Sequence, residues 1–551
     1  MTARPGHAET TVAIVGAGPS GALLANLLGN FGVATTVIDR EPDVVDYPRA
    51  VGIDDESLRT LQSVGLAEQA TRDMIPNTPV RYYSSDGHCF AHVRPTERPF
   101  GWPRRNNFLQ PLLERTLRDG IARCPGVEPR YGSELVGFTQ DAEGVTLQVV
   151  DASGSDGTIR ARHLVGADGG RSTVRSLAGL RLVGSTAPSR WLVVDVRNDR
   201  LVAPYAAVYC HPVSPTMVIA LPYRHRRFEF KLADADDESE VVEEGRIMAR
   251  LSRFYEGVAL PEVVRSRVYL HHSRVAESFR SGRVFLVGDA AHLQPPFFGQ
   301  GMNSGMRDVA NLAWKLAAVE MGKVGAEVLD TYDVERRKHA TAMVSFATRI
   351  GRMYSPRNRL TEVARDSLFR VIGRMPGARD YILQMKYKPM PNYWGGLVLP
   401  TSVKGSVAGR MAPQPQVETP AGLRTRLDEL LGPWFAVVGI HLDPFDRLGA
   451  AERSLWESLE TQFLAVHIPR DVPFEDRDGR TESGVGPGPA SGSRRVVDVD
   501  GVFAEMKLAR PAEEVLVIRP DRYVMAACRA GELADVTARI GRMLGRTTQN
   551  R

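Results

Sequence analysis

Cysteine is scarce: Cys89, Cys124, Cys210 and Cys528 are the only four in 551 residues, and they form no CxxC or metal-ligand spacing. A disulfide-stapled module is excluded, no metal site is expected, and a reducing, cytoplasmic setting fits best. Long apolar runs are missing too. The first, Val12 to Val15, is cut at once by glycine, and nowhere do about 20 apolar residues follow one another, so neither a signal peptide nor a membrane partner is expected. Charge of one sign does not dominate either. Seventy Lys and Arg against 65 Asp and Glu leave +5, too thin an excess over so long a chain for a nucleic-acid partner. The densest basic cluster, Arg224, His225, Arg226 and Arg227, is short and runs into Phe-Glu-Phe. What is present is 43% hydrophobic and 25% charged residues, the balance of a globular chain, and at roughly 150 residues per domain the length suggests two to four domains.

After a polar tail to about Thr10, the β-type run Thr11-Val-Ala-Ile-Val15 leads into Gly16-Ala17-Gly18-Pro19-Ser20-Gly21 and then a helical pattern from Ala22 to Gly29. A second β-type run, Ala34 to Ile38, ends at Asp39, followed by Arg40. Strand, glycine-rich turn, helix, strand and acidic residue form a dinucleotide-binding fingerprint. Gly16 permits the tight turn, Gly18 lets the backbone approach a pyrophosphate, Gly21 permits close helix–strand packing, and Asp39 would accept from the adenosine ribose.

From about Arg190 to Leu270 the pattern becomes β-rich alternation, which suggests an inserted sheet. The α/β signal returns at Val284-Phe-Leu-Val287, followed by a Gly- and Pro-rich loop and a helix from about Asn303, whose spacing of Met306, Val309, Leu312, Ala313 and Leu316 buries one face. Beyond about Pro400, strands at 434–438, 463–467 and 515–518 and a final helix near 532–544 make a small α/β domain. Its Gly/Pro/Ser-rich loop at 483–493 is expected to be mobile.

Two further motifs specify the dinucleotide. Gly166-Ala-Asp168-Gly-Gly-Arg-Ser172 resembles the DG motif, and Gly288-Asp289-Ala-Ala-His292, followed by Pro295 and Gly299-Gln300-Gly301-Met302-Asn303, resembles the GD motif. With the first fingerprint, they resemble the three signatures of the group A flavoprotein aromatic hydroxylases, the para-hydroxybenzoate hydroxylase-like family. That resemblance implies a Rossmann-like α/β FAD-binding domain with an inserted β-sheet substrate domain and a C-terminal thioredoxin-like domain. The expected segments are 1–82, 104–188 and 273–397 for FAD, 83–103 and 189–272 for substrate, and 398–551 for the thioredoxin-like part. Asp289 would hold flavin ribityl hydroxyls, and the backbone from Gly299 to Asn303 would stabilise charge on the reduced ring.

The stretches Asp46-Tyr-Pro-Arg-Ala-Val-Gly-Ile-Asp-Asp-Glu56, Phe100-Gly-Trp-Pro-Arg-Arg-Asn106, Arg226-Arg-Phe-Glu-Phe230, Met302-Asn-Ser-Gly-Met-Arg-Asp308 and Lys388-Pro-Met-Pro-Asn392 resemble the branch of that family acting on 3-(3-hydroxyphenyl)propionate. The resemblance implies ortho-hydroxylation of that small phenolic acid, and of 3-hydroxycinnamate, with FAD as cofactor and NADH and dioxygen as co-substrates. It also implies flavin contacts from Arg49 and Gln110 and a carbonyl of Pro295 over the reacting centre. Gln294-Pro-Pro-Phe-Phe298 departs from the family pattern and leaves the exact substrate open. The alternatives are a hydroxylase of another phenol or a polyketide, and a non-catalytic flavin redox sensor. A flavin halogenase is disfavoured because Trp102 lies in no WxWxIP motif.

Alternation places Arg226 and Arg227 on opposite faces of a strand, so at most one can meet the substrate carboxylate. The sequence does not say which side chain takes the phenolic proton; Tyr205, Tyr209, His211 and His225 lie in the inserted region. Cys528 stands alone in the last domain, so dithiol chemistry is impossible there. A structural or dimer-interface role is expected, and a homodimer is one compatible assembly.

Overall fold

The computed structural model describes residues 7–354, 358–390, 392–468, 492–505 and 513–546. The opening βαβ unit is as expected, except that its first strand starts earlier. β1 (His7–Val15), α1 (Pro19–Asn30) and β2 (Thr35–Asp39) follow one another, with β1 and β2 parallel. A run of small and aliphatic residues buries α1 from Gly21 to Leu28, and Gly32 at φ 75° turns the chain back. β1 also pairs in parallel with the strand Asp156–Gly166, which in turn pairs with Val284–Leu286. The DG and GD motifs therefore leave the same ends of adjacent strands as the first glycine loop. This is the site of ligand binding in open α/β sheets.

The inserted sheet has eight strands in the order His292–Leu293, Glu262–Ala276, Leu182–Arg197, His225–Lys231, Thr216–Leu221, Ala206–Tyr209, Val80–Tyr83 and Cys89–Val93. It takes in Val80, Leu182 and Ala276, so its edges lie several residues outside the expected 83–103 and 189–272. Composition does not mark those edges, because the long strands continue their alternation across them. On one face Phe228 and Phe230 join Leu192, Val194 and Val218 in an apolar cluster.

By its contacts the chain separates into two compact units: 1–98, 103–310 and 336–389, and 99–102, 311–335 and 390–551. Residues 311–335, expected in the FAD-binding domain, thus belong with the second unit. The reason is electrostatic as well as apolar. Arg519 donates to both carboxylate oxygens of Glu335 at 2.7 and 2.9 Å, and Lys315 meets the same carboxylate at 2.8 Å. All three side chains are fully enclosed. Burial alone would raise the Glu335 pKa, but Arg519 and Lys315 hold it well below the usual range. Trp314 packs edge-on against Phe435 at 5.6 Å.

The second unit's core is a strand–helix–strand piece, Ala436–Ile440, Ala450–Ser458 and Gln462–His467, with its strands parallel. Val515–Ile518 and Val524–Cys528 follow antiparallel, and Leu533–Met543 closes the unit. This is the thioredoxin-type order. Cys528 is buried and unpaired. The loop at 483–493 lies, but for its last two residues, outside the described residues. Among the described residues no helix is long and apolar enough to cross a membrane.

Glu335→Ala leaves Arg519 and Lys315 enclosed without their shared anion, and we expect a loss of about 3–5 kcal/mol. Thermal unfolding of the full chain should show its first transition clearly lowered; an unchanged transition contradicts this account of Arg519.

Candidate active site

A cavity of about 560 Å³ runs past all three motifs within the first unit. Its first end is backbone. Gly16 has φ 103°, and a Cβ there would stand 2.4 Å from the Ala167 carbonyl oxygen. At Gly21 a Cβ would stand 1.8 Å from the Gly16 oxygen, so both glycines are required by close approach. Gly18 differs. It caps α1 with no side-chain partner, and a Cβ built on it meets no protein atom within 4 Å. It leaves first-turn N–H groups and a positive dipole end facing the cavity that Gly18, Pro19 and Ser20 line. Asp39 accepts from Ala17 N at 2.5 Å and Glu41 N at 2.8 Å, which fixes its carboxylate on the cavity wall beside Arg40. Arg40 itself is largely exposed and pairs with Glu41 at 3.4 Å.

The middle is a set of loops held by buried charges. Asp308 accepts from Gly288 N at 3.0 Å, His292 Nε2 at 2.7 Å and Arg336 Nε at 2.9 Å. Burial opposes its charge, but His292 and Arg336 keep its pKa low. Arg175 donates to the carbonyls of Ala290 and Gly170 at 2.9 and 3.0 Å, tying GD to DG. Asp168 lines the cavity while accepting from Ser172 Oγ at 2.5 Å and Val174 N at 3.0 Å. Asp289 faces the open cavity; surrounding protein pushes its pKa up, against the pull of His292 and Arg49.

Gly299, at φ 63°, ends the turn Pro296–Phe298 and leads into the helix Gly301–Glu320. Gly299, Gln300, Gly301, Met302 and Asn303 all line the cavity. The Asn303 side chain is fully used: it accepts from Asp54 N and Ser57 Oγ at 3.0 and 2.7 Å and donates to Gly52 O and Gly299 O. Only its backbone is left for the cavity. Arg307 grips Glu56 at 2.6 Å, also pairs with Asp54, and donates to Gln300 at 3.1 Å, while Lys388 meets Asp54 and Glu56 at 2.8 and 2.9 Å. Asp54, Asp55 and Glu56 cluster closely enough to suggest a cation, but Arg307 and Lys388 already balance the charge of Asp54 and Glu56.

Several expected roles change. Pro295 does not line the cavity. It is buried with extended backbone ahead of the turn, and Gln294 and Pro296 take the wall. Gln110 lines the cavity, but its Oε1 accepts from Arg49 N and Ala50 N at 3.1 and 2.6 Å and its Nε2 donates to Glu114 at 2.6 Å. Its amide oxygen holds the Arg49 segment. Arg226 faces away from the cavity, paired with Asp199 at 2.7 Å and bonded to the Ala203 and Leu201 carbonyls. Arg227 does line the cavity, but it pairs with Asp195 at 2.8 and 2.9 Å and donates to the carbonyls of Pro48 and Arg49. Neither is a free partner for a substrate carboxylate, and the basic cluster is no surface patch. None of Tyr205, Tyr209, His211 and His225 lines the cavity.

The far end is the inserted sheet. Val80, Tyr82, Ala206, Val208, Met217, Ile219, Arg227 and Glu229 form its floor, opposite Phe297 and Phe298. Phe297 stands edge-on to Trp191 and His271 at 5.4 and 5.0 Å, and Phe298 to Phe346 at 5.0 Å. The Pro-Pro-Phe-Phe departure thus anchors the loop.

A glycine cradle continuous with an apolar chamber fits a dinucleotide carrying a reactive ring. The FAD binding domain family matches residues 9–347, and the HcaD C-terminal domain matches 409–543. The 3-(3-hydroxy-phenyl)propionate/3-hydroxycinnamic acid hydroxylase of Burkholderia cenocepacia (strain HI2424) is 49% identical over 530 residues, 96% of each chain. The chain belongs to the FAD-dependent aromatic hydroxylases. A relative of the same name from Mycobacterium sp. (strain KMS) is 42% identical over 96% of this chain and 90% of its own. The fold is shared with the flavin-dependent monooxygenase PieE in complex with FAD and substrate, at TM-score 0.78 and 22% identity over 98% and 99% of the two chains. In this hydroxylase FAD fits the observed cradle, because Gly18 leaves exposed backbone where a side chain would stand.

Gly18→Val should therefore empty the protein of flavin without unfolding it, since the new side chain meets cofactor space rather than protein. Flavin absorbance per chain, alongside circular dichroism, checks this; full flavin content contradicts it.

Proposed function

We propose that this hydroxylase converts 3-(3-hydroxyphenyl)propionate, and also 3-hydroxycinnamate, to the 2,3-dihydroxy products with NADH and dioxygen. The observation that carries this reading is the chamber at the end of the FAD cradle. Its floor is largely apolar sheet side chains, with Arg227, Glu229 and Arg105 also lining it. Identity of 41–49% over nearly the full chain to relatives named for these substrates supports the choice of phenol.

Gly18 and Ser20 would hold the pyrophosphate through backbone N–H groups, Asp39 the ribose, Asp289 the ribityl chain, and the backbone of Gly299 to Asn303 the ring. Bound FAD supplies the redox chemistry, taking a hydride from NADH and activating dioxygen so that one oxygen atom goes to the ring and the other to water. The protein's part is positioning and exclusion of water. Val80, Ala206, Val208, Met217 and Ile219 present methyl and methylene groups to the ring, and Phe297 and Phe298 cover it, so that reduced flavin is not wasted as peroxide.

NADH consumption and product analysis over a panel of phenols test the assignment. We expect sustained turnover with 3-(3-hydroxyphenyl)propionate and a 2,3-dihydroxy product. Turnover confined to another phenol or a polyketide would move the substrate assignment, and no multiple turnover with any phenol would mark a flavin sensor.

A further inference from the structure

Strand register sets the chamber floor in rows. Glu229 pairs with Met217, Met217 with Val208, and Val208 with Tyr82, so these four residues cross four adjacent strands at one level. All four line the cavity. At about 4.8 Å per strand, Glu229 and Tyr82 are roughly 14 Å apart at the backbone, and their side chains shorten that span.

The two ends differ in charge. Glu229 is buried, and no hydrogen bond reaches its carboxylate among the described residues. Arg227 and Asp195 are the charged groups acting on it, and they are already paired with each other. Its neighbours across the sheet, Met217 and Val193, carry no charge. Burial raises its pKa to about 6, with Arg227 opposing and Asp195 adding. At the other end Tyr82 hydrogen-bonds Tyr387, and the charge of Arg105 acts on the Tyr387 hydroxyl. Arg105 lines the cavity, is half-buried, and has a buried Nε with no partner. Between these ends lie only Met217 and Val208. Among the described residues, a base without a donor and a guanidinium without an anion thus face one chamber from opposite ends.

We propose that the phenolic acid lies along this row, its carboxylate on Arg105 and its hydroxyl on Glu229, which takes the phenolic proton. This rests on the reading of the chain as a phenolic-acid hydroxylase. The reverse orientation sets two carboxylates side by side, which is unfavourable in a dry site. In the step itself the phenol O–H bond breaks and a carboxylate O–H bond forms. The electron pair stays on the phenolate oxygen and enriches the ortho ring carbon. After oxygen transfer the ring proton leaves with the second oxygen atom as water and the Glu229 proton returns to the product oxygen, so the residue ends as it began.

The test uses FAD-loaded Glu229→Gln, Glu229→Asp, Arg105→Met and Arg105→Lys, each with flavin content verified. Glu229→Gln should lower hydroxylation by about 10²–10⁴-fold while flavin reduction by NADH persists. Glu229→Asp should recover part of the rate, and the acid limb of kcat/KM near pH 6 seen in the parent should vanish in the Gln variant. Arg105→Met should weaken binding of 3-phenylpropionate and of 3-(3-hydroxyphenyl)propionate by about tenfold or more, with Lys milder, yet leave 3-ethylphenol binding unchanged. Hydroxylation by Glu229→Gln within about threefold of the parent, or equal weakening of acids and 3-ethylphenol in Arg105→Met, overturns the proposal. If the parent itself hydroxylates no phenol, the functional reading fails instead, so the two failures are distinguishable.

Discussion

Asp308 is the carboxylate on which the middle of the site depends. Fully buried, it accepts at once from the Gly288 backbone, His292 and Arg336, and so fixes the loop that carries Asp289. The next residue back, Arg307, faces the other way and binds Asp54, Glu56 and Gln300. Two adjacent helical residues thus hold two walls of one cavity. Each is an enclosed charge whose partner could be removed only at a cost of several kcal/mol, which explains why glycine-rich loops can keep a defined shape around a cofactor. Rigidity comes from the ion pairs behind the loops and adaptability from the glycines within them.

The same economy governs the inserted sheet. Because side chains alternate, Arg227 and Glu229 face the chamber while Arg226, Phe228 and Phe230 face the other side, where the aromatics complete an apolar cluster. A slip of one residue would exchange these sets. The ion pairs Arg226–Asp199 and Arg227–Asp195 lock the strand in place, and Arg227 additionally reaches the backbone of the Arg49 segment. Substrate floor and cofactor wall are joined through one guanidinium.

The opening βαβ unit, the three motifs, the buried face of the helix Gly301–Glu320 and the strand–helix order of the second unit were all legible in the chain, because each rests on local periodicity or on glycine spacing. The alternation argument also separated Arg226 from Arg227 correctly. It could not foresee that both would be neutralised, since Asp199 and Asp195 lie about 30 residues away and only sheet pairing brings them close. Gln110 shows the same limit: a motif places a residue near a site but not which of its atoms are already taken. Asp308, Arg175 and Lys388 were invisible as positioning residues because a charged residue on a helix or loop reads as surface until its partners are known. Glu229 was hidden just beyond an apparently basic cluster, although its position two residues from Arg227 already put the two on one face.

Central to this function is the transfer of a single oxygen atom from dioxygen to a phenolic ring in the chamber beside the cradle. Turnover of 3-(3-hydroxyphenyl)propionate with NADH under ¹⁸O₂, followed by mass spectrometry of the product, tests it directly. The account predicts one ¹⁸O atom per product molecule, on the carbon ortho to the original hydroxyl. Product oxygen drawn from water, or NADH oxidation that yields only labelled peroxide, would contradict it.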